Sequence, residues 1–300
     1  MIQIKQIHRF TGHSGAIYCL SEAEGESLIL SGSSDQFVAG WNLKTLQPDK
    51  FAIKLQATIY RILYVPERNL LLIGNANGEI HCIDLESKQE IKNLKVFNSG
   101  VFDLKYQDNQ FFAASAEGLI AFGNLDTLEI EKLVKVSDSK VRQLDVSPIN
   151  NLLAAACGDG FVRIFDVQKR VLIQEFLAHN LSANAVKFKK NGKLLTGGRD
   201  AYLKQWDTSN NFSLEKSIPA HNYAIYSIAL QTNGNLIATA SRDKTVKIWD
   251  ENLNVLYRLD KAGFDGHLNS ANTLLWHKPT GYLISASDDR SIIVWEVTAK

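Results

Sequence analysis

A short segment that recurs along the chain constrains the fold more than any other feature of the sequence. Residues 239–250 read TASRDKTVKIWD, in which the alternation from Thr245 to Trp249 predicts a strand after a polar turn. Related segments occupy residues 31–42, 196–207 and 285–296, and each has an Asp six residues before a Trp. Repetition of this kind indicates an array of similar structural units.

A histidine upstream of each tryptophan strengthens the repeat. The two residues are 27 or 28 positions apart in every case, and the histidines are His13, His179, His221 and His267. With these residues the chain resembles the WD-repeat β-propellers, whose blades end a strand on Trp-Asp and carry a Gly-His pair upstream. The resemblance covers essentially the whole chain. It implies an all-β fold of four-stranded blades, with strands a to d running from the inside to the outside.

The tryptophan position can also be located in the repeats that have lost the tryptophan, which we call the worn repeats. Its steps are 40 to 46 residues, close to the ~40–45 residues of a four-stranded blade. It recurs at Trp41, Ile83, Gly123, Phe165, Trp206, Trp249 and Trp295. Seven occurrences predict a seven-bladed WD-repeat β-propeller that forms a single domain, residues 1–300. The last blade lacks a strand d after Trp295, so we expect Ile2–Phe10 to pair beside Ile292–Val297 and close the ring.

Turn signals support the division into strands. Asn191-Gly192 and Asn233-Gly234 fall between strands a and b, where a two-residue hairpin requires positive φ. Asn77-Gly78 and Asp159-Gly160 occupy the corresponding place between strands b and c.

Charge and cysteine usage restrict the partners and the compartment. The chain has 33 Lys and Arg against 32 Asp and Glu, a net charge of +1, so no global field attracts nucleic acid or an anionic membrane. The N-terminus alternates apolar and polar residues, unlike a signal peptide, and no apolar run approaches the ~20 residues of a membrane span. Cys19, Cys82 and Cys157 form no CxxC pair and indicate buried thiols in a reducing cytoplasm. We favour a monomer.

Four sets of residues, each with a histidine and an aspartate, suggest a catalytic or metal site. The family resemblance instead implies that each set is a structural tetrad. An imidazole can join the Asp carboxylate to a hydroxyl, which then reaches the indole N–H, so every buried polar group is satisfied. We therefore expect no catalytic residues, no metal and no cofactor. The tetrads are His13, Ser31, Asp35 and Trp41; His179, Thr196, Asp200 and Trp206; His221, Thr239, Asp243 and Trp249; His267, Ser285, Asp289 and Trp295.

The other three repeats lose the tetrad members together, and Asp159 alone survives. The histidine positions hold Leu55, Phe97 and Ser137, and the hydroxyl positions hold Ile73, Ala113 and Ala155. We therefore expect blades 2, 3 and 4 to be held by apolar packing alone. Gly123 stands where a large ring belongs, so we expect blade 3 to pack weakly there.

The resemblance also implies a binding surface, the mouth of the propeller. In WD-repeat proteins the residue after the apolar anchor of strand a, and the residue before the turn Asp, point to it. The first set is Tyr18, Tyr60, Phe102, Arg142, Asn184, Tyr226 and Asn272. The second is Ser34, Ala76, Ala116, Gly158, Arg199, Arg242 and Asp288. We predict an aromatic half on blades 1 to 3 and a cationic half of Arg142, Arg199 and Arg242, joined by Lys140.

These residues predict a non-enzymatic scaffold that binds peptide or protein partners through the mouth. Tyr and Arg are enriched at binding hot spots, and clustered exposed aromatics are costly unless something covers them. The partner-binding residues are then Tyr18, Tyr60, Phe102, Arg142, Tyr226, Arg199, Arg242 and Asp288, and the ligand an acidic group beside a hydrophobic side chain. The alternative is a hydrolase-like or lactonase-like propeller with a channel cation, for which the mouth offers Asn184, Asn272 and Asp288.

Overall fold

The computed structural model describes residues 2–232 and 235–299, which form seven antiparallel sheets of four strands each. The predicted Asn233-Gly234 turn lies outside the described residues. A short 3₁₀ helix covers Pro66–Arg68, and helix α1 covers Lys261–Phe264. We call each sheet a blade and number the blades in chain order.

The strands follow one another from a to d within each blade. Strand β1 covers Ile2–Thr11, and blades 1 to 3 contain β2 (Ile17–Glu22), β3 (Leu28–Ser33), β4 (Phe37–Asn42), β5 (Gln47–Lys54), β6 (Ile59–Val65), β7 (Leu70–Asn75), β8 (Glu79–Asp84), β9 (Gln89–Lys95), β10 (Val101–Gln107), β11 (Gln110–Ser115), β12 (Leu119–Asn124) and β13 (Glu129–Lys135). Blades 4 to 7 contain β14 (Val141–Val146), β15 (Leu152–Cys157), β16 (Phe161–Asp166), β17 (Val171–Leu177), β18 (Ala183–Phe188), β19 (Leu194–Gly198), β20 (Tyr202–Asp207), β21 (Ser213–Pro219), β22 (Ile225–Leu230), β23 (Ile237–Ser241), β24 (Val246–Trp249), β25 (Val255–Leu259), β26 (Ala271–Trp276), β27 (Leu283–Ser287) and β28 (Ser291–Ala299).

The chain divides into two compact units. The first contains Met1–Pro66 and Tyr226–Lys300, and the second contains Glu67–Ile225. Blades 1 and 7 belong to the first unit, and blades 3, 4 and 5 belong to the second. The single domain expected from the sequence stays a prediction.

The N-terminal strand completes the last blade, as predicted. Strand β1 pairs antiparallel with β28, from Ile2 opposite Ala299 to Thr11 opposite Ser291, and the sheet order is β1-β28-β27-β26. Ile4 is buried among the core residues of blades 6 and 7, and Arg9 donates to the carbonyl oxygen of Gly266 at 3.1 Å. The outer strand of blade 7 is therefore anchored by both ladder hydrogen bonds and packing.

The middle strands hold the core because they are apolar on both faces. Strand β7 reads LLLIGN and is buried throughout, and β15 reads LLAAAC with five of six residues buried. The outer strands, such as β9, instead alternate exposed and half-buried residues. Continuous apolar strands are typical of sheets that are covered on both faces, here by the neighbouring blades. The glycines of three predicted turns, Gly78, Gly160 and Gly192, all have positive φ.

Side chains of one blade satisfy the open edge of the innermost strand of the next blade. Strand a has a ladder partner on one side only, so alternate N–H groups on its other side need acceptors. Four side chains supply them: Asp103 Oδ2 accepts from Leu144 (2.8 Å), Gln143 Oε1 from Val186 (2.9 Å), Asp145 Oδ2 from Phe188 (2.8 Å) and Ser227 Oγ from Leu274 (3.2 Å). Adjacent blades are therefore linked by directional bonds as well as by apolar contacts.

Two asparagines of the predicted mouth take part in the same linkage as donors. Asn184 Nδ2 donates to the carbonyl oxygen of Ile225 at 3.2 Å. Asn272 Nδ2 donates to the carbonyl oxygen of Ile17 at 3.0 Å. Both asparagines thus satisfy backbone groups at the start of the following strand a.

Three tetrads form a continuous chain of short contacts. In blade 1, His13 Nδ1 lies 2.8 Å from Asp35 Oδ2, His13 Nε2 lies 2.7 Å from Ser31 Oγ, and Trp41 Nε1 donates to that oxygen at 2.7 Å. The contacts in blades 5 and 7 are 2.8–3.1 Å long, and their residues are His179, Thr196, Asp200, Trp206, His267, Ser285, Asp289 and Trp295. In blade 6, Trp249 Nε1 donates to Thr239 Oγ1 at 2.9 Å, and His221 of that tetrad is buried.

The carboxylates of three tetrads, Asp35, Asp200 and Asp289, are stabilised in their ionised form. Burial raises the pKa of Asp289, but hydrogen bonds from His267 and Ser291 and the histidine charge outweigh it, so the pKa lies well below its ordinary value. The pKa values of Asp35 and Asp200 are lowered against the same burial cost by hydrogen bonds from His13 and His179. Each carboxylate therefore contributes to folding as an anion.

Blades 2 and 4 contradict the expectation of apolar packing alone, because each holds a different polar network. In blade 2, Asn75 Nδ2 donates to Glu79 at 2.6 Å, and His81 Nδ1 lies 2.8 Å from Glu90 Oε1. In blade 4, Ser137 stands at the histidine position and donates to the surviving Asp159 at 2.8 Å. Arg163 pairs with the same carboxylate at 2.9 Å. The tetrads are replaced in these blades, so their interiors still contain satisfied polar groups.

Blade 3 also differs from the sequence expectation, because a neighbouring ring fills the space at Gly123. A Cβ added at Gly123 would lie 2.2 Å from Phe111 Cζ, and Phe111 is fully buried. Phe111 pairs with Gly123 across β11 and β12. In this blade the large ring belongs to strand b instead of strand c. The expectation of weak packing at Gly123 is therefore wrong.

Gly123→Ala should therefore destabilise the protein by about 1–3 kcal/mol, because overpacking forces Phe111 out of its place. The free energy of unfolding from urea titration measures this cost. In the double variant Gly123→Ala with Phe111→Leu the penalty should be smaller than the sum of the two single penalties. Additive penalties would show that the two residues do not share the space.

Asp103→Ala should cost about 1–3 kcal/mol of stability, because it leaves the buried N–H of Leu144 without an acceptor. Asp103→Asn keeps a carbonyl oxygen of similar position and should cost clearly less. Thermal and urea unfolding of the two variants give the comparison. Equal losses would mean that the charge of Asp103, rather than its hydrogen bond to Leu144, stabilises the fold.

Asp289→Asn should reduce the free energy of unfolding at pH 7 by about 1–3 kcal/mol, because a neutral amide replaces the ionised partner of His267 and hydrogen bonds to charged groups are the stronger ones. The pKa of Asp289 is lowered on folding, so its contribution is complete above the unfolded pKa of about 3.9 and disappears as the pH falls through the folded value. The difference between wild type and variant should therefore shrink below about pH 4. Asp138→Asn, at a fully exposed carboxylate, is the control, and a pH-independent difference at Asp289 would contradict the linkage.

Candidate partner-binding site

Three of the predicted cationic residues lie around one cavity in the second unit. Lys140 and Arg142 flank Val141 at the start of β14, and Arg199 directly follows β19. All three side chains are exposed. They line a cavity of about 570 Å³ together with Ala116, Asp138, Ser139, Gly158, Asp159, Asn180, Leu181 and Ser182. We call it the cationic cavity.

Backbone hydrogen bonds hold the rim of the cationic cavity in place. The N–H of Arg199 donates to the carbonyl oxygen of Ser182 at 2.8 Å, and the N–H of Gly158 donates to that of Lys140 at 2.7 Å. A Cβ at Gly158 would lie 3.1 Å from Ser139 Cβ, so the wall accepts only a very small residue there. The small residues of the b–c turns thus leave room for a ligand group, and a fixed rim reduces the entropy cost of binding it.

The cationic cavity has an excess of positive charge. Three cations face two carboxylates, and Asp159 is already compensated by Arg163. Burial raises the pKa of Asp159, but hydrogen bonds from Ser137 and Arg163 lower it by a larger amount, so the net shift is downward. The carboxylate therefore stays ionised and bound to these two residues. Asp138 is fully exposed and lies 3.7 Å from Lys135. An anionic group in the cavity therefore meets the positive charges of Lys140, Arg142 and Arg199.

Phe102, which the sequence assigned to the aromatic half, lies beside two residues of the predicted cationic half. Lys140 Nζ is 5.6 Å from the centroid of the Phe102 ring, and Arg142 Cζ is 5.7 Å from it. Cations over an aromatic face at this distance are stabilised by the ring quadrupole. Phe102 therefore orients the two side chains, and its half-buried ring extends the same surface.

Two of the predicted residues in the first unit, Tyr18 and Tyr60, form an aromatic pair. Tyr18 and Tyr60 have ring centroids 5.6 Å apart with an interplanar angle of 59°. Desolvation and the nearby charge of Asp288 raise the pKa of Tyr18, so its phenol stays protonated and can donate. Asp288 Oδ1 accepts from Asn272 Nδ2 at 2.7 Å. Asn272 and Asp288 therefore bind each other.

Tyr226 and Arg242 take positions in blade 6. Tyr226 is the second residue of β22 and is half-buried, whereas Arg242 follows β23 and is exposed. Within the described part of the chain, neither belongs to the residues that line the cationic cavity.

Sequence reasoning missed the segment Asn180–Ser182 of the cavity wall. Leu181 is 51% exposed and presents the largest apolar side chain of the lining. It stands two residues after His179, on the loop that enters strand a, and Tyr223 stands equally exposed two residues after His221. A large apolar residue at this loop position is the signal that could have located the wall.

The asparagines that the sequence offers for a channel cation take part in hydrogen bonds through their amide nitrogens. Asn184 and Asn272 orient their amide nitrogens toward backbone or carboxylate oxygens, as described above. Among residues 2–232 and 235–299, no group of three or more His, Cys, Asp or Glu side chains could hold a metal ion. The same residues contain no helix with the length and apolar character needed to cross a membrane.

Comparison with known proteins gives the family. The model for the WD domain, G-beta repeat matches residues 4–42, 212–250 and 260–296. The model for the anaphase-promoting complex subunit 4 WD40 domain matches residues 124–191. Together the matches cover more than half of the chain and fall on the four-stranded repeats of the structure.

Individual relatives are distant and much longer than this chain. The WD repeat-containing protein 91 homolog of Dictyostelium discoideum is 24% identical over 94% of this chain and 38% of its own length. Nuclear distribution protein nudF of Aspergillus niger is 28% identical over 50% of this chain and 37% of its length. Telomerase protein component 1 of Rattus norvegicus is 22% identical over 78% of this chain and 9% of its length. The chain thus spans less than half of each relative, but its repeats, sheets and matched models agree: it belongs to the WD-repeat family, and its fold is the seven-bladed β-propeller of that family.

Proposed function

We propose that the protein is a non-enzymatic scaffold that binds peptide or protein partners through the surface formed by the starts of strands a and the b–c turns. The observation that carries the proposal is the convergence of Lys140, Arg142 and Arg199 on one cavity with a backbone-fixed rim. A scaffold role also agrees with the family, whose matched members include, by their names, a telomerase component and a complex subunit.

The chemistry of the cationic cavity indicates the ligand. A carboxylate side chain can accept charge-assisted hydrogen bonds from Arg142 and Arg199, which are stronger than bonds between neutral groups. Leu181 and the ring of Phe102 offer apolar contacts beside these cations. The preferred ligand is therefore an exposed peptide segment with an acidic residue next to a hydrophobic one.

Catalysis and nucleic-acid binding are not part of the proposal. The polar groups that could have held a catalytic cation are engaged with one another, Asn272 with Asp288 in particular. The net charge of +1 supplies no sequence-independent attraction to nucleic acid. We propose a monomer in the cytoplasm, and the location is supported by the three buried cysteines, which are free thiols as expected in a reducing compartment.

The double variant Lys140→Glu with Arg199→Glu should abolish binding of acidic-hydrophobic peptides, since it reverses two of the three charges of the cationic cavity. The measurement uses an array of synthetic peptides that pair Asp or Glu with Leu, Phe or Ile, probed with purified wild type and variant. Each desolvated hot-spot contact contributes about 2 kcal/mol, so affinity should fall at least about tenfold. Phe102→Ala should weaken binding of the same peptides by a smaller factor, because it removes the ring that orients the side chains of Lys140 and Arg142.

Lys44→Glu with Lys50→Glu is the matched control, because it makes the same charge change at exposed lysines of blade 1 outside the cationic cavity. It should leave the peptide profile unchanged. Circular dichroism and thermal unfolding establish that each variant is folded. If the folded Lys140/Arg199 variant binds the same peptides as the wild type, the cationic cavity is not the binding site.

A further inference from the structure

Strand β17 is the outer strand of blade 4, and its free edge carries an unusual concentration of aliphatic side chains. Val171, Leu172, Ile173 and Leu177 are 42%, 46%, 49% and 56% exposed. The sheet order β14-β15-β16-β17 places β17 at the edge, and among the described residues no strand pairs with its outer side. A row of backbone donors and acceptors is thus presented beside exposed aliphatic groups.

The outer strands differ in whether they carry lysine, arginine or proline, and among those described β17 alone carries none. Lysine, arginine and proline on an edge strand prevent unwanted pairing with another chain. Each of the six other outer strands, all within the described residues, contains at least one of these residues, namely Lys5, Arg9, Pro48, Lys50, Lys54, Lys92, Lys95, Lys132, Lys135, Lys216, Pro219 and Arg258. Strand β17 reads VLIQEFL and contains none. Among the described outer strands, the one without Lys, Arg or Pro is thus also the one with the most exposed aliphatic side chains.

The strand is held firmly enough to act as a template. Phe176 packs on Trp206 with ring centroids 4.6 Å apart and stacks on Phe212 at 5.5 Å. On the inner side β17 pairs with β16 from Phe161–Leu177 to Asp166–Val171, with Ile173 as the extra residue of a bulge. The exposed aliphatic groups therefore do not turn inward to complete the core.

We infer that the edge of β17 binds an extended segment of a partner protein, which adds a fifth strand to blade 4. Main-chain hydrogen bonds supply affinity in such strand addition, and alternate side chains supply specificity. The charges at the edge specify the partner further. Lys169, just before the strand, is 78% exposed, whereas Glu175 is 47% exposed and bonded to Arg163. An antiparallel segment should carry aliphatic residues at alternate positions, a basic residue opposite Glu175 and acidic residues where it passes Lys169.

A second copy of the same strand fits this edge less well. Antiparallel self-pairing centred on Gln174 would place the carboxylate of Glu175 opposite the aliphatic Ile173. The edge therefore suits a flexible strand-forming segment better than another folded copy.

The experiment uses a fluorescein-labelled peptide, VTKTVTVEE, designed to run antiparallel to β17 from Leu177 to Lys169. Fluorescence anisotropy with the full chain should show saturable binding, and amide exchange of Val171–Leu177 should slow when the peptide is bound. Ile173→Lys places a protecting charge on the edge and should weaken binding at least about tenfold. Leu133→Lys, at an equally exposed residue of β13, is the matched control and should bind as the wild type does.

Two altered peptides separate the contribution of main-chain hydrogen bonds from the contribution of the peptide charges. Methylation of alternate backbone nitrogens on the side that faces β17 should abolish binding, and the charge-reversed peptide VTETVTVKK should bind several-fold more weakly. The Lys140→Glu with Arg199→Glu variant should bind VTKTVTVEE normally, so this edge and the cationic cavity are tested independently. If Ile173→Lys lowers the melting temperature, Val171→Lys replaces it.

The inference is overturned if the wild type does not bind VTKTVTVEE, or if Ile173→Lys binds it equally well. It is also overturned, in favour of a second copy, if sedimentation shows a concentration-dependent dimer that Ile173→Lys abolishes.

Discussion

The hydrogen bonds between adjacent innermost strands constrain the rest of this structure. Each of these strands has one edge without a ladder partner, and an unpaired backbone group buried there would cost as much as a lost hydrogen bond. Asp103, Gln143 and Ser227 occupy the same position, the third residue of strand a, and accept from the next blade. Because polar side chains at this position are committed to the backbone, the residues that remain for binding are those at the strand entrances and on the turns.

The interior of each blade follows a second rule, which is that the space between strands b and c must be filled with satisfied groups. Four blades use the tetrad. Blade 2 uses Asn75 and His81, blade 4 uses Ser137, Asp159 and Arg163, and blade 3 uses the ring of Phe111. Different residue types meet the same physical requirement. The interior must be closely packed and every buried polar group must be hydrogen-bonded, and no particular side chain is needed for this.

The sequence predicts the arrangement of the blades well because the repeat is local and periodic. The tryptophan spacing predicted the number of sheets, and the missing strand d of the last repeat predicted the pairing of β1 with β28. The worn blades were misjudged because each position was compared only with its equivalent in other repeats. The ring missing at Gly123 is supplied from Phe111, across the β11–β12 pair, and the histidine missing at position 137 is replaced by a shorter hydroxyl with a new arginine partner.

The sequence predicted which surface the candidate residues lie on better than it predicted which of their side chains contact one another. Lys140, Arg142 and Arg199 could be assigned to one surface from their places at strand starts and turns. The contact of Phe102 with Lys140 and Arg142 depends on side-chain direction between blades, which residue spacing does not specify. Leu181 was missed because it lies on a loop whose residues do not follow the strand alternation.

The pairing of β1 with β28 has a consequence for how the protein is made. Arg9 and Ser291, which are hydrogen-bonded at 3.0 Å, are 282 residues apart in the chain. Blade 7 is thus the blade whose strands emerge from the ribosome furthest apart in time, and it cannot close until strand β28 has been synthesised. At roughly 5–20 residues per second the first strand remains without its partner for many seconds. During that interval its Lys5 and Arg9 protect an isolated β-strand from pairing with other nascent chains.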